Sequence, residues 1–178
     1  MKKLVPDLIC ESVFTIDLKR LKQENIRGLL VDIDNTLVPW GKPEIEEAFV
    51  AWVRRVKEEG FKICLVSNAK KERAQNIATL LGIPAVGLAL KPLGRSFRRG
   101  MNLLGLAAHE VAVIGDQLFT DVLGGNRLGI WTILINPISK NELDSTKFMR
   151  RLEAKILQKM VKRGQLKAEH VKIRQGRD

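Results

Sequence analysis

The sequence predicts an α/β protein with a mainly parallel sheet flanked by helices. Two observations carry that expectation. Short β-branched runs alternate with helical patterns between residues 28 and 135, and the first helical pattern has a start signal at Pro43 and a stop at Gly60. A third observation sets the carboxyl end apart: beyond Asn136-Pro137 the pattern becomes basic and amphipathic.

Gly28–Ile33 reads as a buried strand. From Pro43, Ile45, Ala48, Phe49, Trp52, Val53 and Val56 fall on one apolar helical face. Phe61–Val66 is the second strand, Lys70–Leu81 the second helix and Ile83–Ala89 a short third strand. A basic helix is expected over Arg95–Leu106, then a strand at Val111–Gly115, a helix at Phe119–Leu128 and a closing strand at Ile130–Ile135. Phe148, Leu152, Ile156 and Met160 then recur every four residues, so a basic helix is expected over 141–163, with a polar tail to Asp178. The spacing thus divides the chain into a body, 1–139, and a basic segment, 140–178.

The chain of 178 residues carries 31 Lys and Arg against 20 Asp and Glu, a formal +11. Residues 140–178 hold twelve of those cations and five acids, leaving +4 on the body and +7 on the last fifth. Such a chain suits an anionic partner, but net charge does not choose among nucleic acid, phospholipid headgroups and a phosphorylated substrate. Cys10 and Cys64 are too few for a disulfide framework or a zinc site. No stretch approaches the ~18–20 apolar residues that span a bilayer. Pro6 and Asp7 interrupt any apolar region after Met1-Lys2-Lys3, so a cytoplasmic location is expected.

The first strand ends Val31-Asp32-Ile33-Asp34-Asn35-Thr36. On an extended backbone residues i and i+2 share a face, so both acids point the same way at the strand's carboxyl end. Capping would account for one such aspartate, but not for two and a hydroxyl among apolar neighbours. A second cluster, Gly115-Asp116 to Asp121, follows the strand at 111–115, and four of the chain's eight aspartates lie at these two strand ends. Converging carboxylates need a cation, and hard oxygen ligands favour Mg²⁺. Ser67-Asn68 offers a hydroxyl and backbone donors between strand and helix, and Lys91-Pro92 a cation after an apolar stretch. His109 and His170 fall outside both clusters, which disfavours histidine-based phosphoryl transfer.

Together and in order, these residues resemble the haloacid dehalogenase (HAD) superfamily, a Rossmann-like fold. Asp32-Ile33-Asp34-Asn35-Thr36 looks like its first motif, and Ser67, Lys91 and Gly115-Asp116 through Asp121 like the next three. The resemblance implies that Asp32 is the nucleophile and forms an aspartyl-phosphate, and that Asp34 is the acid and then the base. It implies Mg²⁺ held by Asp32, the Asp34 carbonyl and Asp116, with Asp121 supporting that shell or orienting Lys91. Thr36, Ser67, Asn68 and Lys91 would hold phosphoryl oxygens. The intervals 37–66 and 69–90 are filled by the elements above, so no cap domain is expected and the site should be open.

Asp32–Trp40, Lys91–Arg95 and Gly115–Asp121 further resemble subclass IIIA phosphatases of YqeG type, similar to phosphatidylglycerophosphate phosphatases. That resemblance implies an anionic phospholipid substrate, with Arg95, Arg98 and Arg99 suited to a second, unreacted phosphate. The helix at 141–163 either lies on an anionic membrane or docks on the sheet with its cations in solvent. Val38, Pro39 and Trp40 are expected to form a flap at the site, or Trp40 to enter the core. The competing expectations are a phosphatase of another bulky phosphate, such as a nucleic-acid end or phosphoprotein, and a basic adaptor for RNA, ribosomes or protein. An adaptor would not need Asp32, Asp34, Lys91 and Asp116 together.

Overall fold

The computed structural model describes residues 2–139 and 144–167. Its elements in chain order are β1 (Leu8–Cys10), α1 (Leu18–Gln23), β2 (Gly28–Val31), α2 (Glu47–Glu58), β3 (Lys62–Val66), α3 (Lys71–Leu81) and β4 (Ala85–Val86). There follow α4 (Gly94–Leu104), β5 (Val111–Gly115), a π-turn (Leu118–Val122), α5 (Leu123–Leu128), β6 (Trp131–Ile135) and α6 (Asp144–Lys162). The six strands form one sheet in the order β1-β6-β5-β2-β3-β4, and every pair in it is parallel.

Both faces of the sheet are covered, which is why β2 and β5 are buried along their whole length. On one face Phe49, Trp52, Val53 and Val56 of α2 and Ala74, Ile77 and Leu81 of α3 pack with Leu29, Val31, Ile63, Leu65 and Ile114. On the other, Phe97, Met101 and Leu104 of α4 pack with Leu30, Cys64, Val66 and Val113. A third cluster joins Leu157 and Met160 of α6 to Ile9, Leu118, Val122 and Leu134. The basic helix therefore docks on the body, one of the two arrangements its pattern allowed. Part of the expected segment 140–178, namely 140–143 and 168–178, lies outside the described residues.

Four expected boundaries need correction. The helix signalled by Pro43 begins at Glu47, and residues 39–46 form a loop. Lys42 N donates to the Pro39 carbonyl in a turn, and Arg73 Nη2 donates to the Lys42 carbonyl at 2.8 Å, drawing this segment toward α3. The strand expected over 83–89 pairs only at Ala85–Val86, because Leu88 and Leu90 adopt left-handed backbone with φ of 48° and 49°. The helix expected from Arg95 to Leu106 runs from Gly94 to Leu104 and ends at left-handed Gly105. The helix expected from Phe119 opens as a π-turn, in which the Gln117 carbonyl accepts from both Asp121 N and Val122 N.

Residues 1–27 gave no element signal, yet they build the far side of the sheet. Asp7 Oδ2 accepts from Thr132 N at 2.8 Å and Thr132 Oγ1 at 3.0 Å, setting β1 beside β6. Asp17 then caps α1 by accepting from Lys19 N and Arg20 N.

Candidate active site

The site lies at the carboxyl ends of β2, β3 and β5, where parallel strands leave their last carbonyls and side chains open to a crevice. β2 runs straight into Asp32, whose N–H still donates to the Ile114 carbonyl at 3.0 Å. The chain then turns sharply. Ile33 O accepts from Leu37 N and Val38 N, Asn35 N donates to Val38 O at 2.7 Å, and Asn35 sits at φ 58°. Asparagine tolerates that conformation better than most residues. Its side chain also holds the following segment, because Oδ1 accepts from Trp40 N and from Ser139 Oγ, each at 3.1 Å.

Asp32, Asp34, Ser67, Asn68 and Lys91 line one cavity of about 940 Å³, together with Trp40, Lys42, Lys70, Arg73, Gln117 and Thr120. Its floor carries the charge. Lys91 Nζ lies 2.8 Å from Asp32 Oδ1 and 2.7 Å from Asp121 Oδ1, with the lysine side chain 2% exposed. Ammonium and carboxylates so buried are tolerable only as partners of one another. Burial alone would lower the Lys91 pKa, but Asp121 and Asp32 outweigh it and raise it, so the lysine stays charged. Burial raises Asp121, and Lys91 opposes the rise.

Asp32, Asp116 and Asp121 each offer a carboxylate oxygen within 4.8 Å of the others. Three hard oxygen donors at that spacing fit a divalent cation of the Mg²⁺ class. The two oxygens of Asp121 are already engaged, Oδ1 by Lys91 and Oδ2 by Gln117 N and Thr120 Oγ1. Its geometry thus suits orienting Lys91; of the other two, Asp32 meets Lys91 through Oδ1 and Asp116 meets Arg150 through Oδ2. Burial raises Asp116 and Arg150 opposes the rise, but with Asp32 and Asp121 nearby the group is still pushed up to about 7.

Asp34 turns toward α3, where Arg73 Nη1 meets its Oδ1 at 2.5 Å. Burial raises the Asp34 pKa, and Arg73 works against that rise. Ser67, wholly buried at the end of β3, accepts from Ala69 N through Oγ at 3.2 Å, leaving its hydroxyl proton for another acceptor. Asn68 Oδ1 accepts from Lys91 N at 2.8 Å, tying the loop after β3 to the loop that carries the lysine. Thr36 is fully buried behind the turn and does not line the cavity. Its Oγ1 has no hydrogen-bond partner among the described residues. Arg95, Arg98 and Arg99 are exposed on α4 and are not part of the cavity lining. Of the expected flap Val38–Trp40, only Trp40, 41% exposed, lines the cavity, while Val38 is wholly buried in the core.

Three charged residues at the site escaped the sequence reading: Arg73, Arg150 and Glu153. Arg150 on α6 bonds both the Asp116 carbonyl and its Oδ2. Glu153 accepts from Leu118 N at 2.6 Å and Phe119 N at 3.4 Å. A signal for Glu153 existed. Glu153 lies four and seven residues before Leu157 and Met160, which puts an acid on the buried stripe of a basic helix. Arg73 shows no comparable signal, since only the fold brings α3 to the end of β2.

Comparisons with known proteins give the family and the fold. A family model described as mitochondrial PGP phosphatase matches residues 1–139. The chain is 38% identical over 168 residues to the probable phosphatase YqeG of Bacillus subtilis, covering 94% of this chain and 98% of that protein. It is 25% identical to phosphatidylglycerophosphate phosphatase 1 of Arabidopsis thaliana, over 94% of this chain and 51% of the plant protein. Among solved structures, the cobalt-bound deoxy-D-mannose-octulosonate 8-phosphate phosphatase of Haemophilus influenzae shares the fold at a TM-score of 0.51 and 16% identity, covering 77% of this chain and 90% of that one. An uncharacterised Listeria monocytogenes protein does so at 0.53 and 22%, covering 66% and 85%. With its four site-bearing loops in order at the carboxyl edge of a parallel sheet, the chain belongs to the mitochondrial PGP phosphatase family and is a phosphatase.

Proposed function

We propose that this phosphatase is Mg²⁺-dependent, works through an aspartyl-phosphate on Asp32, and removes the terminal phosphate of phosphatidylglycerophosphate. The observation that carries the chemistry is the floor of the cavity, where Lys91 bridges Asp32 and Asp121 beside Asp116. Asp32, Asp116 and the Asp34 carbonyl would hold the cation, which when bound offsets the negative charge of phosphate and carboxylates.

Asp32 attacks phosphorus with the carboxylate oxygen that Lys91 leaves free, and the P–O bond to the leaving group breaks. Asp34 gives its proton to the departing alkoxide. It then takes a proton from the water that attacks the aspartyl-phosphate, releasing inorganic phosphate and restoring Asp32. The raised pKa of Asp34 suits a group that must carry a proton in one step and accept one in the next. Lys91, the Ser67 hydroxyl and the Asn68 amide face the transferred oxygens in this arrangement, where charge spreads in a loose transition state.

The lipid assignment rests on the family match and on the cavity's surroundings. Lys42, Lys70 and Arg73 line the outer cavity and suit a second phosphate better than Arg95, Arg98 and Arg99 do. Leu88, Leu90 and Leu93, 59%, 67% and 58% exposed, project from the loop that carries Lys91. Phe148, Met149 and Leu152 are exposed on α6 between its basic residues. Among the described residues no helix is long and apolar enough to cross a membrane. Apolar side chains amid cations fit a surface of anionic lipid.

The test is hydrolysis of phosphatidylglycerophosphate, p-nitrophenyl phosphate and a 3′-phosphorylated oligonucleotide by the purified chain with and without Mg²⁺. Preference for the lipid, dependence on Mg²⁺ and trapping of phosphate on Asp32 are expected. Equal turnover of the oligonucleotide would replace the lipid by a nucleic-acid end, and activity in excess chelator would remove the metal.

A further inference from the structure

Helix α6 touches the site through two buried contacts that the catalytic scheme does not use. Asp116 is wholly buried, and Arg150 meets it twice, at the backbone carbonyl and at Oδ2. One helical turn on, Glu153 is 2% exposed. Its Oε1 accepts from the backbone of Leu118 and Phe119, while Oε2 lies 3.4 Å from Arg150 Nη1. Leu157 and Met160 fasten the same face of the helix to Leu118, Val122 and Leu134. The helix therefore grips residues 116–119 at both a carboxylate and two amides, the stretch that leads from β5 into the π-turn bearing Asp121.

From this double grip we infer that Arg150 and Glu153 are positioning residues for the divalent cation. Docking of α6 holds Asp116 in its binding orientation, and the carboxyl-terminal helix is a working part of the metal site. The inference rests on the metal-dependent reading above. A carboxylate free to turn loses rotamer freedom when it binds a cation, whereas one already held by a planar guanidinium does not. Groups that orient a ligand in this way are worth ~10–100-fold in metal affinity. Glu153 acts one step further out, since its two backbone bonds fix the turn from which Asp116 projects. Its carboxylate also balances part of the Arg150 charge, which would otherwise repel the incoming cation.

The experiment is titration calorimetry of the full chain with Mg²⁺ and Mn²⁺, comparing wild type with Arg150→Met, Arg150→Lys and Glu153→Ala. Arg150→Met and Glu153→Ala should each weaken binding about tenfold. Arg150→Lys, which keeps the charge but cannot form both contacts, should fall between. Hydrogen exchange at Leu118 and Phe119 should quicken in Glu153→Ala. Leu21→Ala, on the buried face of α1, serves as a destabilised control and should bind metal as wild type does. Should Arg150→Met fail to fold, Arg150→Lys still decides the matter. Unchanged affinity in the folded variants would make α6 mere packing and overturn the inference, and tighter binding would make Arg150 a competitor of the metal instead. Failure of wild type to bind either cation would overturn the metal-dependent reading itself.

Discussion

Arg73 Nη1 holds Asp34 Oδ1 at 2.5 Å, joining the first turn of α3 to the end of β2 across the cavity mouth. The same guanidinium reaches the Lys42 carbonyl, so one side chain ties down both the acid–base candidate and the loop that carries Trp40. Arg73 favours the charged form of Asp34, against a burial effect that favours the neutral one. Its removal should raise the Asp34 pKa further. In Arg73→Met the high-pH fall of kcat/KM, where the general acid loses its proton, should move to higher pH. A limb that stays in place or moves down would separate Asp34 from the proton transfer.

Asp32→Asn should lower kcat on all phosphomonoesters by about 10³-fold or more, with circular dichroism unchanged. The amide keeps the shape of the side chain and its reach to Lys91, but it is no nucleophile. Retained turnover would move the covalent step elsewhere.

Lys91→Met should destabilise the protein by about 3–5 kcal/mol in denaturant unfolding, because Asp32 and Asp121 lose the cation between them. The deficit should be smaller at pH 5 than at pH 8, since the stranded carboxylates can take up protons there.

Stability of the wild-type protein without metal should follow the same sign. Asp34, Asp116 and Asp121 all have raised folded-state values, Asp116 reaching about 7 from an ordinary 3.8. The native state then binds more protons than the unfolded chain between those values, and stability falls as pH rises through that window. Metal-free protein should melt at higher temperature at pH 5 than at pH 8, and saturating Mg²⁺ should shrink the difference. A higher melting temperature at pH 8 without metal would contradict the buried, proton-hungry floor.

Gly115→Ala should destabilise by about 1–3 kcal/mol and disturb the site at once. A Cβ there would stand 2.2 Å from Asp121 Cγ, so the carboxylate that steadies Lys91 would have to move. A variant with wild-type stability and turnover would contradict that close approach.

Much of the site was legible because its chemistry is local in sequence. Asp32 and Asp34 share a strand end, and Asp116 and Asp121 flank one turn, so alternation and spacing alone bring them near one edge. Lys91 was legible as a cation after an apolar run, but its bridge between two aspartates depends on the crossover that lays β5 against β2. Arg73 and Arg150 were not legible as site residues. Each sits on a helix of ordinary basic composition, and its partner lies 39 and 34 residues away. The early elements were missed for a different reason. β1 has three residues and α1 six, too few for a period to show, and both owe their form to β6 and to the Asp17 cap. The start of α2 lies at Glu47 although Pro43 carries a start signal, and the intervening loop is held by Arg73 at the Lys42 carbonyl.

The order β1-β6-β5-β2-β3-β4 puts the two shortest strands, of three and two residues, at the margins of the sheet. A sheet margin is a template for another chain, and its strength as a template grows with the number of unpaired amides in a row. Here the long apolar strands are all interior, and the margins offer only a few amides each before the backbone turns away. Near Leu88 and Leu90 that departure is enforced by the left-handed backbone. The strand arrangement thus acts as a safeguard against fibril-like stacking of copies.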